Sequence, residues 1–303
     1  MPTEKMSSQR KEEITAGVLF VAPAFVYMML LVGYPIFYNI ILGFQNVTVR
    51  NLAAGQVRNF VGFDNYVTLF GTPAMQAALR NTLFFTVMCI VFQFTAGFAL
   101  ALLFNQKFAI AKPMRGFLVV SWMMPATVTA LLFRYMLSSD VGIIDAVLMG
   151  IGITGEPIGW LVRQDTAIWG PIFANIWVGI PFNMLLLTTG LAAIPEEVYE
   201  SASIDGANAV QRFIKITIPL MRPAIMAVLV LGFVYTFKVF DLIFIMTGGG
   251  PVNATEVLST LSYRHSFTFF NFSQGAAVAN VLFVILFCVA LVYLKFIRKE
   301  EAN

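Results

Sequence analysis

The sequence contains few of the residues that catalytic, metal and redox sites use. Two cysteines and one histidine are present among 303 residues, and 12% of the residues are charged. Cys89 and Cys288 lie in apolar runs without metal-ligand or redox spacing, so we expect two buried thiols and no bound metal. His265, next to Ser266, has no G-x-S-x-G sequence with it, which argues against a hydrolase site.

Further absences narrow the function. No G-x-x-x-x-G-K-[ST] phosphate-binding loop occurs in the chain, so the chain does not bind ATP by that route. The net charge of +3 is too small to indicate a nucleic-acid partner. Since no catalytic constellation stands out in the apolar runs, we expect a protein that is not an enzyme and holds no cofactor of its own.

Hydrophobic residues are abundant instead, at 59% of the chain. A run of about 20 apolar residues crosses the hydrocarbon layer as a helix, because lipid offers the backbone no hydrogen-bond partner. The sequence therefore predicts an all-α, polytopic membrane protein that forms one domain over residues 1–303. Six runs are long enough to span, at residues 14–42, 81–104, 116–136, 166–194, 224–246 and 275–296. The first run is too long for a signal peptide and lacks a cleavage site.

Lysine and arginine residues predict the orientation, because cytoplasmic loops carry an excess of them. Twelve flank one side of the spans, namely Lys5, Arg10, Lys11, Lys107, Lys112, Arg115, Arg212, Lys215, Arg222, Lys295, Arg298 and Lys299. Five flank the other side, namely Arg50, Arg58, Arg80, Arg163 and Arg264. We therefore expect both termini and segment 195–222 in the cytoplasm, with segments 43–80, 137–165 and 247–274 outside.

Among the prolines within the predicted spans, the candidate helix breaks are Pro35, Pro125, Pro171 and Pro181. Proline removes a backbone donor and disrupts a helix. Such breaks are tolerated in a membrane where neighbouring helices or a water-filled cavity satisfy the freed groups. The prolines indicate either a pathway through the bundle or the general frequency of proline in membrane helices.

Segment 195–222 is charged and interrupted by glycine, unlike the apolar runs on either side of it. Pro195, followed by Glu196 and Glu197, predicts the start of a helix. Gly206 predicts its end, and Asp205 is placed to help cap the next helix. That second helix carries a stripe at helical spacing, formed by Val210, Phe213, Ile214 and Thr217. The residues alone allow a solvated interfacial loop or an elbow that another surface approaches closely.

The elbow also carries a recognisable signature. Glu200-Ser201-Ala202, then Gly206, then Ile216-Thr217-Ile218-Pro219 resembles the EAA-G-I-LP signature of the permease subunits of bacterial ABC importers. Ser201 replaces one of the two alanines, and Ile218 replaces the leucine. The stretches APAFVYMMLLVGYP, FVGFDNY, Asn81-Thr82 and TGGGPVNAT are similar to the first permease of the maltose-type and glycerol-phosphate-type carbohydrate importers. The resemblance covers nearly the whole chain and implies the type I ABC importer permease fold.

The resemblance implies the partners as well. They are a second homologous permease, a dimer of ATPase subunits that bind ATP and Mg, an extracytoplasmic solute-binding protein, a carbohydrate substrate and membrane lipid. The chain would lie in the bacterial inner membrane, and its elbow would be the coupling helix that docks on the ATPase. The residues implied in coupling are Glu200, Ser201, Ala202, Asp205, Gly206, Ile216 and Pro219.

The resemblance also points to a substrate pathway. Gly232, Thr236 and Val239 lie about one turn apart on the fifth span, at positions that line the sugar site of the maltose-type permease. Val239 replaces an amide there and Phe182 replaces a tyrosine, so a maltose-like hydrogen-bond pattern is not expected. Core or lipid packing is the alternative for the aromatic residues, including Trp177. The full set is Gly179, Phe182, Asn183, Gly232, Thr236, Val239, Lys238 and Asp241.

Lys238 and Asp241 stand three residues apart, close enough to pair on one helix face. Pairing and substrate contact both stay open, and an unpaired Lys238 would favour an anionic substrate. An ion-coupled secondary transporter of a small polar solute is the alternative function, because it uses carboxylates inside its spans. Asp241 is the one candidate for that role. The sequence does not name the sugar.

Overall fold

Long apolar helices make up most of the chain in a computed structural model that describes residues 8–54, 59–106, 108 and 110–301. Lys5, Arg58 and Lys107, which contribute to the predicted orientation, lie outside the described residues. The helices are α1 Ser8–Met28, α2 Tyr34–Leu42, α3 Val49–Ala53, α4 Asp64–Phe70, α5 Pro73–Asn105, α6 Ala111–Met123, α7 Ala126–Met136, α8 Ile143–Gly150, α9 Trp169–Ala192, α10 Glu196–Ile204, α11 Ala209–Arg212, α12 Ile218–Leu220, α13 Arg222–Phe237, α14 Asp241–Met246, α15 Leu258–Tyr263 and α16 Phe272–Glu301. Wider π-helical turns follow α1, α11 and α15.

The predicted spans are present as helices. Five candidate spans run over Ile14–Leu42, Pro73–Asn105, Trp169–Ala192, Arg222–Met246 and Phe272–Lys295. The remaining predicted span is the pair α6 and α7, which bend by 95° relative to each other. Pro125 stands at this bend and Met124 before it is extended, because the residue before a proline avoids helical geometry. Pro125 therefore breaks its span as predicted.

The other three prolines do not break a helix, which corrects the sequence interpretation. Pro171 lies in the first turn of α9, where a backbone donor has no partner to lose. Pro181 lies inside α9, which continues through it. Pro35 follows the π-helical turn Met29–Gly33 in a continuous helical path, since a local widening of the helix accommodates the ring. The fifth span is interrupted between Phe237 and Asp241, where no proline stands.

The helices α5 and α9 form the centre of the fold and pack along each other. One apolar cluster joins the end of α5 to α9 and α13 on the side that we expect to be cytoplasmic, through Phe104, Met184 and Val228. A second cluster joins the start of α5 to α15 and α16, through Met75, Leu258 and Val278. The side chains of the first span are largely exposed outside this body. Cys89 is a buried free thiol as expected, whereas Cys288 is free but exposed.

The segments expected outside the membrane are held by short local contacts. Strands β1 (Gln45–Asn46) and β2 (Asn59–Phe60) pair antiparallel, with Gln45 opposite Phe60. Thr48 forms a bridge with Asn271, just before α16. The first and last spans are therefore tied together on this side.

Candidate functional site

A cavity of about 480 Å³ lies among α5, α9, the bend between α6 and α7, and the interruption between α13 and α14. The cavity brings together seven of the eight residues expected in the pathway, namely Gly179, Phe182, Gly232, Thr236, Lys238, Val239 and Asp241. Irregular backbone at membrane depth is tolerated where it lines a cavity or is buried in protein. Both helix interruptions reach this cavity, at Met124 and at Lys238 to Phe240.

The fifth span presents the expected face to the cavity. Gly232, Thr236 and Val239 all line it, as their spacing predicts. A Cβ atom placed on Gly232 would meet no atom of the described chain within 4 Å, apart from its own helix backbone. Gly232 therefore leaves room for a guest molecule, while the buried Thr236 supplies a hydroxyl to the wall.

Three aromatic rings form a second wall. The ring centroids of Trp122 and Phe182 are 5.7 Å apart, and those of Phe182 and Tyr235 are 5.8 Å apart with an edge-to-face geometry. All three residues line the cavity. Trp177 does not line it and is exposed. Sequence reasoning missed Trp122, because only the bend at Pro125 brings the end of α6 to the fifth span. It also missed Tyr235, although Tyr235 lies on the fifth span next to Thr236.

The two charged residues of the pathway do not share a helix face, which corrects the premise for their pairing. The helix α13 ends at Phe237 and α14 begins at Asp241, so Lys238 lies at the end of one helix and Asp241 at the start of another. Among the described residues, no ion pair within 4.0 Å joins them. The Lys238 ammonium lies 5.5 Å from the centre of the Tyr235 ring, within reach of a cation–π attraction.

Asn183 is the predicted pathway residue that the structure places elsewhere. Its side chain is 4% exposed, and its Nδ2 donates to the Gly179 carbonyl oxygen at 2.8 Å within α9. Two amide residues missed by the sequence interpretation, Gln93 and Asn175, line the cavity instead. Gln93 was detectable as a polar side chain inside an apolar span, where such residues are functional candidates.

The elbow, residues 196–212, forms a separate surface. The first helix ends at Ile204, and Gly206 has φ +78°, the left-handed geometry that a glycine after a helix provides. A Cβ atom on Gly206 would meet nothing in the described chain within 4 Å, and Ile204 is 87% exposed. Of the residues implied in coupling, Ala202 and Ile216 are half-buried, and the exposed ones are Glu200, Ser201, Asp205, Gly206 and Pro219. A hollow of about 390 Å³ lies beside Gly206.

The elbow differs in two details from the expectation. Asn208, not Asp205, caps the second helix, because its Oδ1 accepts from the Gln211 backbone while the Gln211 side chain accepts from the Asn208 backbone. Asp205 lies at the end of the first helix instead. The predicted apolar stripe is divided, because Phe213 and Thr217 turn inward whereas Val210 and Ile214 are exposed.

One hydrogen bond braces the elbow against the segment that follows it, and another links the two helices of the elbow itself. The hydroxyl oxygens of Tyr199 and Thr217 lie 2.9 Å apart, and Arg212 Nη1 donates to Ser203 Oγ at 2.8 Å. The exposed surface around Gly206 is therefore presented on a fixed support.

Comparison with known proteins places the chain in a family. Residues 93–297 match the family described as the inner membrane component of binding-protein-dependent transport systems. The sulfoquinovosyl glycerol transport system permease protein SmoG of Agrobacterium fabrum is 32% identical over 285 residues, covering 94% of this chain and 91% of SmoG. The lactose transport system permease protein LacF of Rhizobium radiobacter is 32% identical over 305 residues, covering 99% of each chain.

The fold has a solved counterpart. The crystal structure of a bacterial alginate ABC transporter, in complex with an alginate pentasaccharide-bound periplasmic protein, contains a chain that superposes with a TM-score of 0.77. The two chains are 23% identical, and the match covers 94% of this chain and 93% of that one. The expected fold class is thereby confirmed. The chain is a multi-pass membrane protein with the type I ABC importer permease fold, and it belongs to the family of inner membrane components of binding-protein-dependent transport systems.

Proposed function

We propose that this chain is a permease subunit of an ATP-driven sugar importer, which forms the translocation pathway together with a second, homologous permease. A dimer of ATPase subunits binds ATP and Mg on the cytoplasmic side, and an extracytoplasmic solute-binding protein delivers the sugar. The relatives named for lactose and sulfoquinovosyl glycerol support a carbohydrate substrate. Both termini face the cytoplasm of a bacterial cell, as the lysine and arginine distribution indicates.

The cavity carries this proposal. Its volume of about 480 Å³ suits a small molecule. Its aromatic wall of Trp122, Phe182 and Tyr235 offers flat apolar surface for the face of a sugar ring, and Thr236 offers a hydroxyl. Lys238 and Asp241 are the charged residues in its lining. Lys238 makes no ion pair with Asp241 in the described part of the chain, but the two opposite charges line the same cavity, so the unpaired Lys238 does not by itself select an anionic sugar.

The elbow provides the coupling site in this proposal. An ATPase surface that receives Gly206 and Ile204 would bury the Ile204 side chain, which this chain leaves exposed. Nucleotide-driven movement of the ATPase dimer then pulls on the braced elbow and turns the cavity outward to accept sugar. Hydrolysis resets the cavity toward the cytoplasm.

Uptake by the reconstituted complex tests the function. The complex is assembled in proteoliposomes from this chain, its partner permease, the ATPase and the binding protein, with ATP inside the vesicles. Radiolabelled lactose, trehalose, maltose and sulfoquinovosyl glycerol serve as the panel. We expect uptake of at least one sugar that requires ATP and persists when ionophores collapse the ion gradients. Uptake that requires an ion gradient and no ATP would indicate the secondary transporter instead.

A blocking variant then tests the cavity. Gly232→Trp fills the open space beside the fifth span, so sugar uptake should stop while basal ATP hydrolysis continues, because the elbow is untouched. Phe287→Trp is the matched control, since Phe287 is 52% exposed on α16 and does not line the cavity. Normal uptake by Gly232→Trp would remove this cavity from the pathway.

A further inference from the structure

One polar side chain that lines the cavity, Gln93, comes from α5, a helix that carries none of the predicted pathway residues. Gln93 lies in the middle of α5, is 3% exposed and lines the cavity. An amide in an apolar span is energetically unfavourable unless its polar atoms find partners. Its surroundings therefore need an explanation beyond packing.

The crossing of α5 and α9 explains how the amide is placed. Two glycines stand at this crossing, one on each helix, and each faces an amide side chain of the other helix. A Cβ atom on Gly179 would lie 2.2 Å from Gln93 Cδ, and a Cβ atom on Gly97 would lie 2.6 Å from Asn183 Cβ. Both glycines are therefore required for the helices to approach this closely. The two amides differ in what lies beyond them, because Gln93 reaches the cavity whereas Asn183 does not.

The Gln93 amide is held in place, but not all of its hydrogen-bonding groups have partners. Its Nε2 donates to the Asn175 carbonyl oxygen at 2.8 Å. A glutamine amide has two donor hydrogens and a carbonyl oxygen that accepts. Within the described chain, the bond to Asn175 is the hydrogen bond that this side chain makes. One donor and the carbonyl oxygen are left for a guest in the cavity.

We propose that Gln93 determines the specificity of the pathway by hydrogen-bonding a hydroxyl group of the transported sugar. This inference rests on the proposed function, because it assigns the guest of the same cavity. A sugar hydroxyl both donates and accepts, so it matches the two unused functions of the amide. The amide is held by Gly179 behind it and by its bond to Asn175, so little freedom is lost when the sugar arrives.

The arrangement also explains why Gly179 lines the pathway. A glycine at this position adds no contact of its own to a sugar. Its absent side chain makes the space in which the Gln93 amide lies against α9. Gly179 acts through Gln93 as a positioning residue, and Gly179→Ala should have the same effect on selectivity as removal of the amide.

Selectivity among deoxy sugars tests the contact. The reconstituted complex is offered the panel sugar that the wild type transports and each of its monodeoxy analogues, at saturating binding protein. A site that hydrogen-bonds a hydroxyl discriminates against the analogue that lacks it. We expect the wild type to transport one analogue about tenfold more slowly than the parent sugar, the ratio expected for one such bond. Gln93→Met, which keeps the size but loses the amide, should reduce that ratio to about one.

The outcomes separate this inference from general damage to the helix crossing. Gly97→Ala at the same crossing disturbs Asn183, so it should lower assembly of the complex but keep the wild-type ratio. Gly179→Ala should bring the ratio of the two transport rates, parent sugar to deoxy analogue, to about one. Combining Gly179→Ala with Gln93→Met should not lower that ratio further. If Gln93→Met does not assemble, Gln93→Asn, with an amide one methylene shorter, replaces it in the comparison. An unchanged ratio in the assembled variant overturns the role of Gln93, whereas failure of the wild type to transport any panel sugar overturns the proposed function.

Discussion

Two glycine turns flank the fifth span, and they differ in what surrounds them. At the elbow, Gly206 has φ +78° and open space where a side chain would be. In the outer turn, residues 247–264, Gly249 has φ +88°, but a Cβ atom there would lie 2.5 Å from Glu256 Oε2. The same backbone geometry is thus used once on an open surface and once inside a packed turn.

The outer turn satisfies its own polar groups. Glu256 is buried, forms an ion pair with Arg264 and accepts a hydrogen bond from Thr260 Oγ1 at 2.6 Å. The Asn81 amide donates to the carbonyl oxygens of Asn253, Ala254 and Glu256 at 2.9 to 3.1 Å. Arg264 also donates to the Gly248 carbonyl oxygen. This turn pairs its buried charge within the chain and exposes one large apolar side chain, Val252, whereas the elbow exposes both Ile204 and Val210 around its glycine.

The difference indicates how each turn serves transport. A self-satisfied turn resists deformation, because removing any one partner leaves a buried polar group without a bond. An exposed turn on a braced support is complete only when another surface covers it. Changes at the outer turn should therefore affect stability, and changes at the elbow should affect coupling.

Chemical labelling gives an all-or-none test of the two turns. In a Cys288→Ser background, Val252→Cys places a thiol at a residue that is 79% exposed in the outer turn. An impermeant thiol reagent should label it in intact cells, but should label Ile204→Cys only in inverted membrane vesicles. Addition of the ATPase to those vesicles should then protect Ile204→Cys. Labelling of Ile204→Cys in intact cells would reverse the proposed orientation.

Matched substitutions at the two glycines should separate coupling from stability. Gly206→Asp adds a charged side chain where the ATPase approaches, so ATP-driven uptake should fall about a hundredfold or more. The left-handed backbone at Gly206 also strains a side chain, at a cost of about 1 kcal/mol, so the unfolding temperature should fall, but by less than where the added atom also meets a packed neighbour. Gly249→Ala strains a left-handed residue against Glu256, at a cost of about 2 kcal/mol, and should lower the unfolding temperature of the purified complex. Uptake and thermal unfolding are measured for both variants. Undiminished uptake by Gly206→Asp would contradict the coupling assignment.

Removal of the buried carboxylate should be the most destabilising change in the outer turn. Glu256→Ala leaves Arg264 without its partner and should cost about 3 kcal/mol, at the low end for a broken buried pair because Arg264 is 28% exposed. Glu200→Ala removes an exposed carboxylate from the elbow and should change stability by less than about 0.5 kcal/mol. Thermal unfolding of the two variants checks the contrast. Equal stability of both would show that the outer turn is not held by its buried charge.

The outer turn should also be sensitive to pH, since it lies outside the candidate spans. Burial raises the pKa of Glu256 above its ordinary value of 4.5, although the bond from Thr260 and the charge of Arg264 oppose the change. A carboxyl with a raised pKa in the folded state contributes stability below pH of about 4.5, and loses it as the pH rises through the folded pKa. The unfolding temperature of the wild type should therefore fall relative to that of Glu256→Gln as the pH rises above about 4.5.

The nearby His265 should change stability with pH in the opposite direction, and it serves as an internal check. Burial lowers the pKa of His265, opposed by a bond with Gln274 and assisted by the charge of Arg264. The stability that His265 contributes to the folded state is present above its ordinary pKa of 6.5, and is lost as the pH falls through the lowered pKa. Because His265 is present in both proteins, the difference between wild type and Glu256→Gln isolates the carboxylate. A difference that does not change between pH 4 and pH 8 would contradict the prediction.

The sequence predicted the features that local composition determines. Apolar length located the six spans, and glycine chemistry located the elbow at Gly206. Pro125 marked a real bend because the residue before it must leave the helix. The break between Phe237 and Asp241 carried no such signal, since none of its residues is a helix breaker. Its position depends on packing around the cavity, which a single helical segment does not encode.

The site was predicted in part for the same reason. The fifth-span residues followed from one-turn spacing along one helix, and the structure brings them to one cavity. Gln93 and Trp122 belong to other helices, and only the crossing of α5 with α9 and the bend after α6 place them there. Asn183 shows the converse, because it was expected in the pathway while its side chain folds back on its own helix. Contacts between helices determine which of these side chains reach the cavity.

The bond that braces the elbow against the segment after it allows a smaller test of the same contrast. Tyr199→Phe removes the hydroxyl that lies 2.9 Å from Thr217 Oγ1, at a cost of about 1 kcal/mol to the support of the elbow. The docking surface itself is unchanged, so the ATPase should still bind and hydrolyse ATP. A looser support transmits less of the ATPase movement, and we expect the ATP consumed per sugar imported to rise a few-fold, in keeping with that free energy. Tyr27→Phe, on the first span, is the control for loss of a tyrosine hydroxyl away from the elbow. An unchanged ratio in Tyr199→Phe would mean that the elbow is held rigid by the ATPase alone, and that the difference between the two turns lies only in what covers them.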